Sequence, residues 1–149
     1  MHIMARSLAL CALLFAVLGS CGQQTPHIDL GEVECAHCRM NVSDPRFAAV
    51  IMTTKGRQYS FDGPECMVSF VTQGSLPEAE VAQWYVSDFE HPSVLLDATK
   101  ALYVHGPAFR SPMRGDVAAF ASKVDRDKAV KDLGGDPMDW PDARKQLAR

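Results

Sequence analysis

At 149 residues and 16.3 kDa the chain has room for one domain or two very small ones. Its 47% apolar and 22% charged residues indicate a globular protein, and a net charge of −3 argues against a nucleic-acid binder working through a basic face. Five cysteines are too few for a disulfide scaffold, so each needs its own reason.

The N-terminus accounts for two of them. Arg6 opens a positively charged start, and residues 7–17 form an apolar stretch shorter than the roughly 20 residues a membrane-spanning helix needs. Leu18-Gly19-Ser20-Cys21 closes it in the pattern of a bacterial lipobox, with an ordinary cleaved signal peptide as the alternative. Cleavage before Cys21 would leave that residue carrying lipid as the membrane anchor. Gly22, where an aspartate would signal inner-membrane retention, points to a periplasm-facing lipoprotein in the inner leaflet of the outer membrane. Cys11 then leaves with the signal. Cys35, Cys38 and Cys66 remain, and three thiols in an oxidising compartment cannot all pair within one chain.

Residues 22–31 are polar and read as a tether, reaching roughly 30 to 35 Å when extended. Residues 47–53 form a β-branched apolar run, Gly56 marks a turn, and residues 58–61 alternate, which predicts a hairpin. A helix should follow, capped by Asp62 with Glu65 in capping-box spacing, Pro64 in its first turn, and Gly74 as its stop. A strand is expected around Trp84-Tyr85-Val86. The second half repeats the plan: a strand over 101–105, a loop over 106–115, and a helix capped by Asp116 with Val117, Phe120, Ala121 and Val124 on one face. A hydrophilic helix over 125–133 ends at Gly134-Gly135, and Trp140 should pack back. The expected class is α+β. It comprises a signal peptide (1–20), an anchor and tether (21–32), and two ββαβ-like units (33–90 and 91–149) related by internal duplication.

The chemistry concentrates in the first unit. Cys35-Ala36-His37-Cys38 is a C-x-x-C motif with Met40 just beyond, and Cys66-Met67 falls in the first turn of the predicted helix. Loop, hairpin and helix can bring three sulfurs together, and the positive helix end should favour a Cys66 thiolate. Thiolate and thioether donors select Cu(I) over Mg²⁺, Ca²⁺ or Mn²⁺. Met113 lies in a polar loop of the second unit, where burial gives little reason for methionine. Cys35, Cys38, Met40, Cys66, Met67 and Met113 are therefore candidate ligands, with His37 and Asp62 as further ones. By spacing alone Cys35 and Cys38 fit a disulfide equally well. Met67 on an apolar helix face also fits the core, and Asp62 fits a cap. His91, His105, Met52 and Met138 read as structural.

Cys35-x-x-Cys38-x-Met40, Gly56 to Phe61, Cys66 and Phe70 resemble the YHS/TRASH metal-binding modules, although Asp62 stands where those usually carry another cysteine. A fuller resemblance is to the NosL family of copper-binding lipoproteins. The matching segments are the lipobox, Cys35 to Met40, Phe47-Ala48-Ala49, Phe61-Asp62, Cys66-Met67, Asp97-Ala98 with Tyr103-Val104, Ser111-Pro112-Met113 and Ala119-Phe120. That resemblance implies Cu(I) delivery to the copper centres of nitrous oxide reductase, with the reductase or its maturation machinery as partner. Arg39 and Arg114 stand where the family usually has glycine. If the first of these positions has positive φ, arginine costs on the order of 1 kcal/mol there. Two other functions compete with a non-enzymatic Cu(I) chaperone. One is a thiol-disulfide oxidoreductase using Cys35 and Cys38; Pro45 leaves little room for the helix that a thioredoxin-like motif opens. The other is a structural zinc module, which would need a fourth ligand.

Overall fold

One plan occurs twice in the computed structural model, which describes residues 25–148. The expected signal peptide, the expected anchor Cys21 and the first residues of the expected tether lie outside that range. The first unit runs β1 (Ala49–Thr53), β2 (Gln58–Phe61), α1 (Pro64–Thr72), a 3₁₀ turn (Glu78–Glu80), β3 (Val81–Ser87) and β4 (Leu95–Asp97). The second runs β5 (Leu102–His105), β6 (Val117–Phe120), α2 (Lys123–Leu133) and β7 (Asp136–Met138), followed by α3 (Trp140–Leu147). Both sheets are antiparallel, ordered β2-β1-β3-β4 and β6-β5-β7. In each, the unit's first strand is flanked by its second and third. The class is α+β, and both sheets contain a ββαβ run with this strand order. β4 carries the first sheet on to residue 97.

The first hairpin forms as its pattern dictates. Every residue of β1 is buried between two neighbours, and Gly56 turns the chain at φ 79°. Pro64 sits in the first turn of α1, and Gly74 ends the helix region at φ 81°. The cap is not Asp62. Gly63 takes that position in extended conformation, Asp62 Oδ1 accepts from the Ser43 N–H, and Glu65 turns away from its own helix.

The helix expected from Asp116 is also corrected: residues 117–120 form β6, and α2 starts later with Ser122 as cap, its side chain accepting from the Asp125 N–H. Val117 and Phe120 have helical spacing, but all four residues of the run are buried, and a short apolar run buried on both faces fits a strand as well. Asp116 accepts from the Ser111 N–H instead, stabilising the loop before β6.

The sequence reading did not anticipate β4, β7 or α3. Pro137 is tolerated in β7 because that strand lies at a sheet edge. α3 has a readable start, with Asp139 accepting from the Asp142 N–H and Pro141 in the first turn.

The main core draws on both units. Ala49, Ile51, Phe61, Met67 and Val68 of the first pack in one cluster with Tyr103, Val117 and Ala119 of the second and with Ala143 and Leu147 of α3. Trp140 seals the seam, 5.7 Å from the Trp84 ring and 5.9 Å from the Tyr103 ring. The end of the expected tether is also held. The His27 backbone exchanges hydrogen bonds with the Gln58 side chain, and Ile28 packs against the core. Among the described residues no helix is long and apolar enough to cross a membrane.

Candidate metal centre

Residues 33–42 form a small closed loop ahead of β1. Its ends pair through the Glu34–Asn41 bridge, and the Cys35 N–H donates to the Met40 carbonyl at 2.7 Å. The turn places Arg39 at φ 68°. The loop lies against β2, where the Ala36 N–H donates to the Ser60 carbonyl, and this brings the C-x-x-C motif up to the start of α1. The outcome is a cluster in which the sulfurs of Cys35, Cys38 and Cys66 all lie within 4.8 Å of one another. All three are free thiols; Cys35 and Cys66 are buried, and Cys38 is partly open to solvent.

The cluster is electrically asymmetric. Cys35 is pulled down to about 4 by the hydrogen bond donated from Cys66, helped by backbone N–H groups of Asp62, Cys38 and His37, against the opposing effect of burial. Cys66 is pushed up because it donates to Cys35 and is itself buried. Cys38 is raised chiefly by burial. The thiolate is therefore on Cys35 and not, as the helix-end argument predicts, on Cys66. The buried Cys35 thiolate takes Cys66's proton as a hydrogen bond, and that direct contact outweighs the partial charge of the helix terminus. Asp62 is raised as well, first by burial and then by the negative charges of Cys35 and Glu65. Its Oδ2 is buried with no hydrogen-bond partner among the described residues.

Beside the cluster lies a cleft of about 390 Å³ between the two units. His37, Glu65 and Cys66 line one side, and His105 and Met113 the other. Met113 does not precede a helix, as the expected repeat had it. It sits in the long connection between β5 and β6, which crosses over the first turn of α1. Met113 is 43% exposed and Met40 52% exposed, so both residues are accessible from solvent. Met67 lies fully buried in the main core. His105 was read as structural; it ends β5 in the cleft wall, with Nε2 3.1 Å from the Gln146 side-chain nitrogen. Its cleft position depends on α3, which the sequence reading did not foresee.

Comparison with known proteins bears on the fold and the family. The fold is similar to that of the crystal structure of the copper chaperone NosL from Shewanella denitrificans. The two are 21% identical, with a TM-score of 0.65 over 79% of this chain and 93% of that one. No curated protein matches the sequence. The NosL family pattern matches residues 28–148, from the strap before the C-x-x-C loop to the last turn of α3, and the chain belongs to the NosL family.

Proposed function

We propose that the chain is a carrier for one Cu(I) ion, not an enzyme. The ion is held by Cys35, Cys38 and Cys66 and completed from the solvent side by a thioether, Met113 across the cleft or Met40 beside it. The observation that supports this most is the convergence of three sulfurs within 4.8 Å at a cleft whose far wall carries Met113. An all-sulfur set is the soft environment that favours Cu(I) over the hard divalent ions. Exposed thioethers also suit a protein that must give its metal away, since they cannot be locked into disulfides. The buried position of Cys35 argues against an oxidoreductase, whose attacking thiolate has to be reachable.

The family supplies the finer reading. The metal is destined for nitrous oxide reductase or its maturation machinery, and the protein works from a lipid anchor at Cys21 facing the periplasm. Anaerobic Cu(I) titration against a competing chelator should give one ion per chain, undisturbed by Mg²⁺, Ca²⁺ or Mn²⁺. Copper transfer to the metal-free reductase should follow on mixing. Absence of stoichiometric Cu(I) binding would overturn the reading. The unpartnered Asp62 Oδ2 favours one alternative, a closed zinc site with Asp62 as fourth ligand. Tight Zn²⁺ that Cu(I) cannot displace would select it.

A further inference from the structure

Glu65 lies in the first turn of α1, immediately before Cys66, and is buried. Its carboxylate serves the other unit. Oε1 accepts from Ser111 Oγ at 2.6 Å, from the Met113 N–H at 3.1 Å and from the Gly115 N–H at 3.4 Å. All three donors belong to the connection between β5 and β6. Ser111 is itself pinned there, its Oγ accepting from the Asp116 N–H at 2.9 Å and its N–H donating to Asp116 Oδ1.

The packing around the carboxylate is close. A Cβ on Gly63 would fall 2.5 Å from Oε2, and one on Gly115 would fall 3.0 Å from the Glu65 Cβ. Oε2 has no hydrogen-bond partner among the described residues. A carboxylate buried only to stabilise the fold would satisfy both oxygens. This one leaves an oxygen unsatisfied while the other collects three donors from the loop that bears Met113.

We infer that Glu65 is a positioning residue: it holds the Met113 loop against the thiol cluster, so that the thioether side of the copper site exists only while this clasp is made. The inference rests on the reading that Met113 shares the metal with the first unit. Glu65 need not touch copper, because it acts through the Met113 backbone.

The test measures Cu(I) affinity by chelator competition, and the number of sulfur neighbours by X-ray absorption, in four variants. Met113→Ala should bind about tenfold more weakly, which corresponds to about 1.4 kcal/mol. Glu65→Ala should lose about as much, and Glu65→Ala combined with Met113→Ala should lose no more than either alone. Both single variants should lose one sulfur neighbour. Glu65→Gln keeps the Oε1 acceptor and should bind within about twofold of wild type. If Glu65→Ala binds like wild type while Met113→Ala is weakened, or if their losses add, the clasp is overturned and the split site stands. If Met113→Ala itself binds like wild type, the split site falls. Should Glu65→Ala fail to fold, Ser111→Ala removes one of the three donors; a loss that disappears in the Met113→Ala background supports the clasp, and no loss overturns it.

Discussion

The two helices that follow the paired strands differ more than the sheets that carry them. α1 buries seven of its nine residues, whereas α2 buries only Ala129. Each unit's ββαβ order gives it a helix, but only α1 lies at the seam, where the sheets and α3 close on it. The buried helix carries Glu65 and Cys66. The exposed one carries alternating charges, with Lys128 paired to Asp132 across one turn. The two units share a strand order, and the thiols sit on the helix that is buried and on the loop packed at its start. The difference should be plain in stability. Met67→Ala in α1 removes a fully buried side chain and should cost about 2 to 5 kcal/mol in urea unfolding. Val124→Ala in α2, at a position 77% exposed, should stay within about 0.5 kcal/mol.

The same inequality governs the metal. In the proposed site the first unit would contribute three thiols and the second one thioether, Met113. Cys66→Ser should therefore weaken Cu(I) binding by about a hundredfold or more, equivalent to about 2.7 kcal/mol, against the tenfold expected for Met113→Ala. Equal losses at the two positions would mean that the units share the ion evenly and would break the comparison.

A third effect belongs to the metal-free thiols. Below about 4, Cys35 is protonated in both folded and unfolded chains. Between about 4 and the ordinary thiol value of 9.0, the unfolded chain holds a proton on Cys35 that the folded chain has released, so stability rises with pH. Above 9.0 the unfolded chain loses its remaining thiol protons, while folded Cys38 and Cys66 keep theirs, so the contribution falls again. The stability difference between wild type and Cys35→Ser, measured by urea unfolding of reduced metal-free protein, should climb from pH 5 to a maximum near pH 9. A flat difference would place the thiolate elsewhere.

Much of this was legible because it is local. Period-2 alternation and a glycine turn gave the first hairpin, and the proline and glycine at its two ends framed α1. The C-x-x-C motif and Cys66 were singled out as partners by residue type alone. Long-range consequences were hidden. Residues 117–120 satisfy helical spacing and become a strand only because β5 waits to pair with them. Glu65 looks like half of a capping box, but its partner lies 46 residues on in the chain. The Cys66 thiolate argument failed for the same reason, since the decisive neighbour is Cys35 on another segment.

The smallest expected effect tests the pair of loops that flank the site. Arg39 follows Cys38 at φ 68°, and Arg114 follows Met113 at φ 62°. Both keep a left-handed turn that glycine would make without strain. An L side chain in that conformation costs about 1 to 2 kcal/mol. Glycine relieves the strain but gives back part of the gain, about 0.4 to 1 kcal/mol, by loosening the unfolded chain. Arg39→Gly and Arg114→Gly should each therefore stabilise the metal-free protein by about 0.5 kcal/mol. Arg57 is the control: it lies in the first hairpin turn outside the left-handed region and stacks 4.6 Å from the Tyr59 ring centroid. Arg57→Gly gains no strain relief, loses that stacking and should destabilise. The opposite signs, read from unfolding midpoints, isolate backbone strain from the loss of a charge. If all three variants destabilise, the turns are not held as described, and the two thioether-bearing loops have lost the one feature that the comparison between units assigns to both.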